Sequence, residues 1–207
     1  MTRGEYGAGD YFWGIAVPKQ RVVAQKYFKE ISFSDLKYLL GQKIHELRFS
    51  GVAILVLKYQ KGSAKEKERV AKFYLKNLKG INNWDLVDLS APQIFGDYFW
   101  ERDRVVLYKL AKSKNLWERR IAILSTFGFI KNNDFTDTLK IAEILLYDGH
   151  DLIHKAVGWM LREIGKRDKK IETDFLDKFT SKMPRTSLRY AIEKFELRER
   201  EKYLKMC

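Results

Sequence analysis

His154-Lys155-Ala156-Val157-Gly158 places a basic residue just ahead of small and apolar ones, and three other stretches repeat that order. They are Leu47-Arg48-Phe49-Ser50-Gly51, Arg119-Arg120-Ile121-Ala122-Ile123 and Leu188-Arg189-Tyr190-Ala191-Ile192. The basic positions Arg48, Arg120, Lys155 and Arg189 stand 72, 35 and 34 residues apart. Because 72 is twice 36, one more unit fits the first interval, with its register on Trp84. A helical period of about 35 residues is that of stacked helix pairs, close to the HEAT range. In such a stack one helix of each pair lines a common face, so Arg48, Trp84, Arg120, Lys155 and Arg189 are expected to share a basic one. The plainer reading is that these cations snorkel from a helix–core boundary.

The rest of the chain agrees with helices throughout. Only three prolines occur, Pro18, Pro92 and Pro184, and apolar residues recur at helical spacing between them. Pro18 suits the first turn of a helix that runs to about residue 31. Further helices are expected near 34–41, 44–60, 64–78, 84–90, 93–112, 116–130, 135–146, 150–166, 171–179 and 185–204, the last as one or two. Breaks fall at Gly62-Ser63, Gly80, Asn132-Asn133, Gly149 and Lys182-Met183-Pro184. No alternating strand pattern interrupts them. The expectation is an all-α superhelical solenoid of about five or six helix pairs, forming a single domain over residues 1–207.

Composition points to the partner. Forty Lys+Arg against 27 Asp+Glu leave a net charge of +13, spread along the chain rather than gathered in a tail. A folded basic surface for an anionic polymer follows. The single cysteine, Cys207, excludes an intramolecular disulfide and a cysteine-based zinc site. His150 and His154 have the i,i+4 spacing of a zinc helix, but no Glu lies between them to act as base, and no metal is expected. No apolar run approaches the roughly 20 residues that span a membrane, and no signal peptide is visible, so a cytoplasmic location is expected.

Within this basic chain, Asn83-Trp84-Asp85-Leu86-Val87-Asp88 stands out. On a helix, Trp84 and Asp88 lie one turn apart on one face. Asp85 projects about 100° away from Trp84 and is expected to matter little. The structural alternative is that both acids serve the helix dipole and that Trp84 is core.

The repeat and these motifs together resemble the AlkD-like DNA alkylation repair family, HEAT-like alkylpurine DNA glycosylases. The resemblance runs nearly end to end. It begins at Gly4-Glu5-Tyr6-Gly7-Ala8-Gly9-Asp10 and Phe12-Trp13-Gly14-Ile15-Ala16-Val17-Pro18, and passes through His45-Glu46-Leu47-Arg48 and Trp84-Asp85-Leu86-Val87-Asp88. It ends with Leu116-Trp117-Glu118-Arg119-Arg120-Ile121-Ala122-Ile123-Leu124 and Lys155-Ala156-Val157-Gly158-Trp159-Met160-Leu161-Arg162-Glu163. By that resemblance Asp88 matches the catalytic carboxylate, Trp84 the aromatic beside it, Arg120 an arginine of the same site and Trp159 the second tryptophan of the cleft. Tyr6 matches a tyrosine that closes the site, across a one-residue gap. Relatives carry another helix ahead of the glycine-rich turn, so an N-terminal cap shortened or absent is expected here. Trp13, Trp100 and Trp117 are assigned to packing.

The implied chemistry suits these residues. A purine alkylated at N3 or N7 is cationic and already an activated leaving group, so neither a general acid nor a cofactor is needed. Charge then moves to the sugar as an oxocarbenium-like cation, which a nearby carboxylate stabilises. Asp88 would do this, Trp84 and Trp159 would offer π-faces to the cationic base or sugar, and Arg120 would hold a flanking phosphate. Arg48, Lys155 and Arg189 are expected to bind the DNA backbone. The expected partner is double-stranded DNA containing alkylated bases, bound by a monomer. A non-catalytic binder of damaged or branched DNA and a protein-binding scaffold are the other classes that such a fold serves.

Overall fold

The computed structural model describes residues 9–206, and the chain divides into two compact units, residues 1–101 and 102–207. In the first unit α1 spans Val17–Tyr27, with Pro18 in its opening turn where its missing N–H costs nothing. Helix α2 (Phe33–Leu40) begins with a capping box: Ser32 Oγ accepts from the Asp35 N–H and the Asp35 carboxylate from the Ser32 N–H. Helices α3 (His45–Lys61), α4 (Ala64–Lys76) and α5 (Trp84–Tyr98) follow, with a 3-10 turn at Leu78–Gly80 ahead of α5. The α3 run Gly51-Val52-Ala53-Ile54-Leu55-Val56 is apolar on every side because α3 packs against α1, α2, α4 and α5. Helix α4 buries only Val70, Ala71 and Tyr74 and turns its charges outward.

The second unit contains α6 (Val105–Ala111), α7 (Leu116–Ser125), α8 (Phe127–Lys131), α9 (Thr136–Ile144), α10 (Asp151–Gly165), α11 (Lys169–Phe179), α12 (Arg185–Ala191) and α13 (Leu197–Met206). Helix α10 is its centre, packing on α7, α8, α9, α11 and α12. Its approach to α12 is close enough to require Gly158, since a Cβ there would collide with the Ser187 carbonyl and Tyr190 Cβ. No described helix is long and apolar enough to cross a membrane.

The all-helical expectation holds, and two boundaries move. Helix α5 runs through Pro92 to Tyr98, where a break at Pro92 was expected. A proline removes the helical bond to the carbonyl four residues earlier, and packing of α5 on α3 and α4 carries the helix across it. The chain breaks instead after Phe99, and Asp103 accepts from the Val105 N–H to open α6. The expected 116–130 helix divides at Thr126, where the hydroxyls of Ser125 and Thr126 take the carbonyls of Ile121 and Ile123 at 2.7 Å each.

A repeated device sets the helix starts. Arg48, Arg119 and His154 are each the fourth residue of their helices, α3, α7 and α10. Each reaches back over the incoming loop: Arg48 to the carbonyls of Gln42 and Lys43, Arg119 to those of Ser113 and Lys114, His154 to that of Asp148. The counterpart of Arg48 is therefore Arg119, not Arg120. The fifth residues of α3, α5, α7, α10 and α12 are Phe49, Asp88, Arg120, Lys155 and Arg189. Of these helices, α5 carries an acid where α7, α10 and α12 carry a cation. The uniform period put the register on Trp84, four residues early, because α4 and its 3-10 turn lengthen the first interval.

Glu172 of α11 gives the second unit a pH dependence. Its carboxyl is buried in a space that Gly165 leaves open, its Oε1 has no hydrogen-bond partner, and burial pushes its pKa up to about 8. A raised folded pKa means that its contribution to stability is complete below the ordinary carboxylate range and is lost as pH rises through about 8. The neutral Glu172→Gln variant should therefore gain on wild type in thermal midpoint as pH rises through that window. A midpoint difference that stays constant across a pH series of melting curves would contradict this.

Candidate active site

The site is built on a strap, residues 9–16, that precedes α1. Gly14 has φ +78°, a left-handed conformation that turns successive N–H groups to one side. The N–H groups of Trp13, Gly14 and Ile15 converge on the Glu46 carboxylate at 3.1, 2.8 and 3.3 Å, forming an anion-binding nest. Burial alone would push the Glu46 pKa up, but these N–H groups hold it below its usual value. Tyr11 adds a parallel bridge to Ile44, donating to the Lys43 carbonyl and accepting from the His45 N–H at 2.8 Å. The strap is thus pinned to the start of α3 with the side chains of Tyr11 and Trp13 outward. Trp13, expected to pack, is 59% exposed.

Beneath the strap lies a polar hub. His45, the first residue of α3, sits between two carboxylates, with Nδ1 3.1 Å from Asp10 Oδ2 and Nε2 2.7 Å from Asp85 Oδ2. Arg48 pairs with Asp10 Oδ1 at 2.6 Å, and Asn83 Nδ2 donates to Asp10 Oδ2 at 2.9 Å. The Phe12 ring covers the imidazole, with centroids 4.9 Å apart. Burial works to lower the His45 pKa, but the hydrogen bonds and charges of Asp85 and Asp10 outweigh it and raise the pKa.

Beside the hub, α1, α3 and α5 enclose an open cleft of about 830 Å³. Trp84, Asp85 and Asp88 line its α5 wall, Arg21 and Gln25 the α1 wall, Phe49 and Ala53 its floor on α3. Trp84 is 44% exposed, and Asp88, one turn on, is half-buried. Pro92 has no N–H for the Asp88 carbonyl, so α5 cannot make that helical bond. Below, Tyr74 and Ser90 share a buried hydroxyl bond of 2.8 Å and Ser90 bonds the Leu86 carbonyl, fixing the inner face of α5.

The structure thus brings Trp84 and Asp88 into one cleft and adds Asp85, which the helical-wheel argument had set aside. Arg48, expected on the DNA-facing surface, is 3% exposed and belongs to the hub, because its guanidinium closes the loop before α3. In the second unit Arg120 is buried too, donating to the Leu152 carbonyl and joining α7 to α10. Lys155 is half-buried and pairs with Asp151 at 3.0 Å. Trp159 is half-buried, its Nε1 donating to Glu163 at 3.1 Å, with the Phe127 ring 6.2 Å away. Arg189 is exposed. Tyr6 lies outside the described residues. His150 caps α10, and His154 bonds the Asp148 carbonyl. Asp10, His45 and Asp85 were missed as site residues, though the string His45-Glu46-Leu47-Arg48, with three polar groups in one helical turn, marked the place.

The sequence profile of the DNA alkylation repair enzyme family matches residues 3–195. The chain belongs to this family. Among curated proteins none matches it. A predicted DNA alkylation repair enzyme from Enterococcus faecalis is similar in structure, with a TM-score of 0.71 at 16% identity, over 93% of this chain and 92% of that one. AlkD2 from Streptococcus mutans is similar with a TM-score of 0.56 at 15% identity, over 98% and 91% of the two chains. The protein smu.31 from Streptococcus mutans UA159 gives 0.54 at 18% identity, over 92% and 90%. These likenesses show the fold, helical repeats of the AlkD-like type.

The strap makes its own prediction. Glu46→Gln removes the charge and one of two acceptors facing three N–H groups, and should destabilise the protein by about 1–3 kcal/mol. Hydrogen exchange at Trp13, Gly14 and Ile15 should speed up. Because the Glu46 pKa is lowered by folding, its contribution is present above the ordinary carboxylate range and lost as pH falls through the lowered value. The variant should lack that acid-side loss. Unchanged exchange at the three amides would show that the nest does not hold the strap.

Proposed function

We propose that this DNA alkylation repair family member is a glycosylase that hydrolyses the N-glycosidic bond of N3- or N7-alkylated purines in duplex DNA. The observation that carries the reading is the pairing of an exposed indole, Trp84, with Asp88 one turn along α5, on the wall of an open cleft. A cationic base is already a good leaving group. What remains for the protein is to hold the lesion and to stabilise positive charge as it moves to the sugar. The Trp84 face serves the first need, a contact worth ~0.5–2 kcal/mol when desolvated. The Asp88 carboxylate serves the second and orients the attacking water, taking up the proton that the water loses as it adds to the sugar.

Support for a DNA partner comes from the net charge of +13 and from the basic fifth-residue positions of α10 and α12, Lys155 and Arg189. We assign Arg189, Lys155 and Trp159 to contact with the DNA. Arg48 and Arg120 act from within the fold, holding the loops and helices that present the surface. The protein is proposed to act as a monomer in the cytoplasm, with no cofactor.

Single-turnover release of 7-methylguanine from a defined duplex tests the reading. Asp88→Asn keeps shape and removes the charge. It should slow release by about 10²–10³, as loss of one preorganised electrostatic group does, while binding of the alkylated duplex survives. Trp84→Ala should weaken both binding and release, because the ring contacts the ground state too. Affinity for undamaged duplex should fall with salt, at a slope of about −0.9 per phosphate neutralised. If wild type binds alkylated duplex in that salt-dependent way yet releases no base, a non-catalytic binder of damaged DNA is the correct reading.

A further inference from the structure

We propose that His45 is a positioning residue: bonded as an imidazolium at both ring nitrogens, it ties Asp10 of the strap to Asp85 of α5 and so sets where Trp84 and Asp88 stand in the cleft. The kinetic consequence rests on the glycosylase reading above; the structural one does not.

The first argument is donor counting. Both ring nitrogens face carboxylate oxygens, Asp10 at 3.1 Å and Asp85 at 2.7 Å. A neutral imidazole has one N–H and one lone pair, so only the protonated ring can donate to both. The second is charge. The groups that face the ring are Asp10 from the strap, Asp85 from α5 and Arg48 from α3, whose NH2 can only donate and at 3.5 Å lies farther from Nδ1 than the Asp10 oxygen at 3.1 Å. Asn83 donates to Asp10 rather than to the ring, Phe12 covers its face, and the neighbouring Glu46 is occupied by the strap N–H groups. Two carboxylates against one guanidinium balance only when the ring is charged. The raised His45 pKa agrees with this.

The third argument is mechanical. Helix α5 has no side-chain cap: its N-cap residue is Asn83, whose amide is turned to Asp10. An uncapped first turn carries orphan N–H groups and frays readily. Yet this turn begins with Trp84, and Asp88 follows directly on it. Asp85, between them in sequence and in the same cleft wall, is the residue that His45 grips. The grip thus acts where α5 is otherwise least secured. When the ring loses its proton, one carboxylate loses its donor. A net negative charge then appears beside Asp88, which both loosens the turn and repels DNA phosphate.

The test uses the full chain. Wild-type single-turnover release of 7-methylguanine should fall on the alkaline side as His45 titrates, with the ring followed by NMR. His45→Gln keeps one N–H donor and carries no charge. It should release base roughly ten- to a hundred-fold more slowly, as small misplacements of reacting groups do, and lose the alkaline limb. Asp85→Asn removes the charge that favours the imidazolium, so the limb should move to lower pH. A merely structural histidine would lower the rate and leave the profile where it was, and that outcome overturns the proposal. Trp84 emission in the DNA-free protein, taken as wild type minus Trp84→Phe, should titrate together with the His45 ring. An emission that ignores the ring overturns the proposal as well. That readout needs no catalysis, so an absence of base release would sink the glycosylase reading alone. If His45→Gln does not fold, the wild-type and Asp85→Asn profiles still decide.

Discussion

One imidazole between two carboxylates joins the strap, α3 and α5 of the first unit. His45 belongs to α3, Asp10 to the strap and Asp85 to α5, so the two bonds join three segments that are far apart in sequence. Burying such charges is unfavourable unless they compensate one another, and removing one partner of a buried pair costs about 3–5 kcal/mol. The hub meets most of that condition with the Arg48–Asp10 pair and the Asn83 amide, although Arg48 Nε and Asp85 Oδ1 have no hydrogen-bond partner. The nest around Glu46 lies one residue further along α3 and fixes the other end of the strap. Consecutive residues of one helical turn, His45 and Glu46, therefore hold α5 and the strap respectively, and Arg48 closes the loop that feeds that turn.

The same economy recurs in the second unit with other residues. Arg119 repeats the Arg48 arrangement, down to carbonyls five and six residues back and a carboxylate partner, here Asp148 at 2.5 Å. His154 does the job with one bond. Once the fourth residue of a helix is committed to the preceding loop, the fifth lies about 100° round the helix and can vary. Phe49 forms cleft floor, Arg120 braces α7 on α10, Lys155 and Arg189 remain cationic, and Asp88 alone among them is acidic.

This division explains what was legible in the sequence. Periodicity and punctuation gave the helices, including the start at Pro18 and breaks near Gly62-Ser63 and Asn132-Asn133. Trp84 and Asp88 could be read as a pair because their relation is local, one turn of one helix. Whether α5 survives Pro92 could not, since its packing partners decide that. Nor could the scaffold arginine of α7 be told from its neighbour. Arg119 and Arg120 are adjacent and alike, and only the bonds to the loop separate the fourth position from the fifth. Asp85 points away from Trp84, as the helical angle requires, and its bond to His45 is invisible to that angle. Its partner comes from α3, forty residues away, and no rule within one helix could supply it.

If the cleft takes DNA, as proposed above, an acid on its wall looks self-defeating in a protein that otherwise accumulates positive charge. Phosphate and carboxylate repel, so on that reading Asp88 would weaken binding of the intact polymer. The sign reverses once positive charge moves to the sugar, and an interaction stronger in the transition state than in the ground state is what accelerates a reaction. On that reading the repulsion is tolerable only if surrounding cations hold the backbone and only if no second uncompensated charge adds to it. Asp85, three residues before Asp88 on the same wall, would be that second charge. On the proposed reading, the His45 imidazolium lies against it, and the wall presents Asp88 to the sugar while Asp85 serves the scaffold. Two acids one turn apart on α5 thereby acquire different roles, set by what α3 places behind one of them.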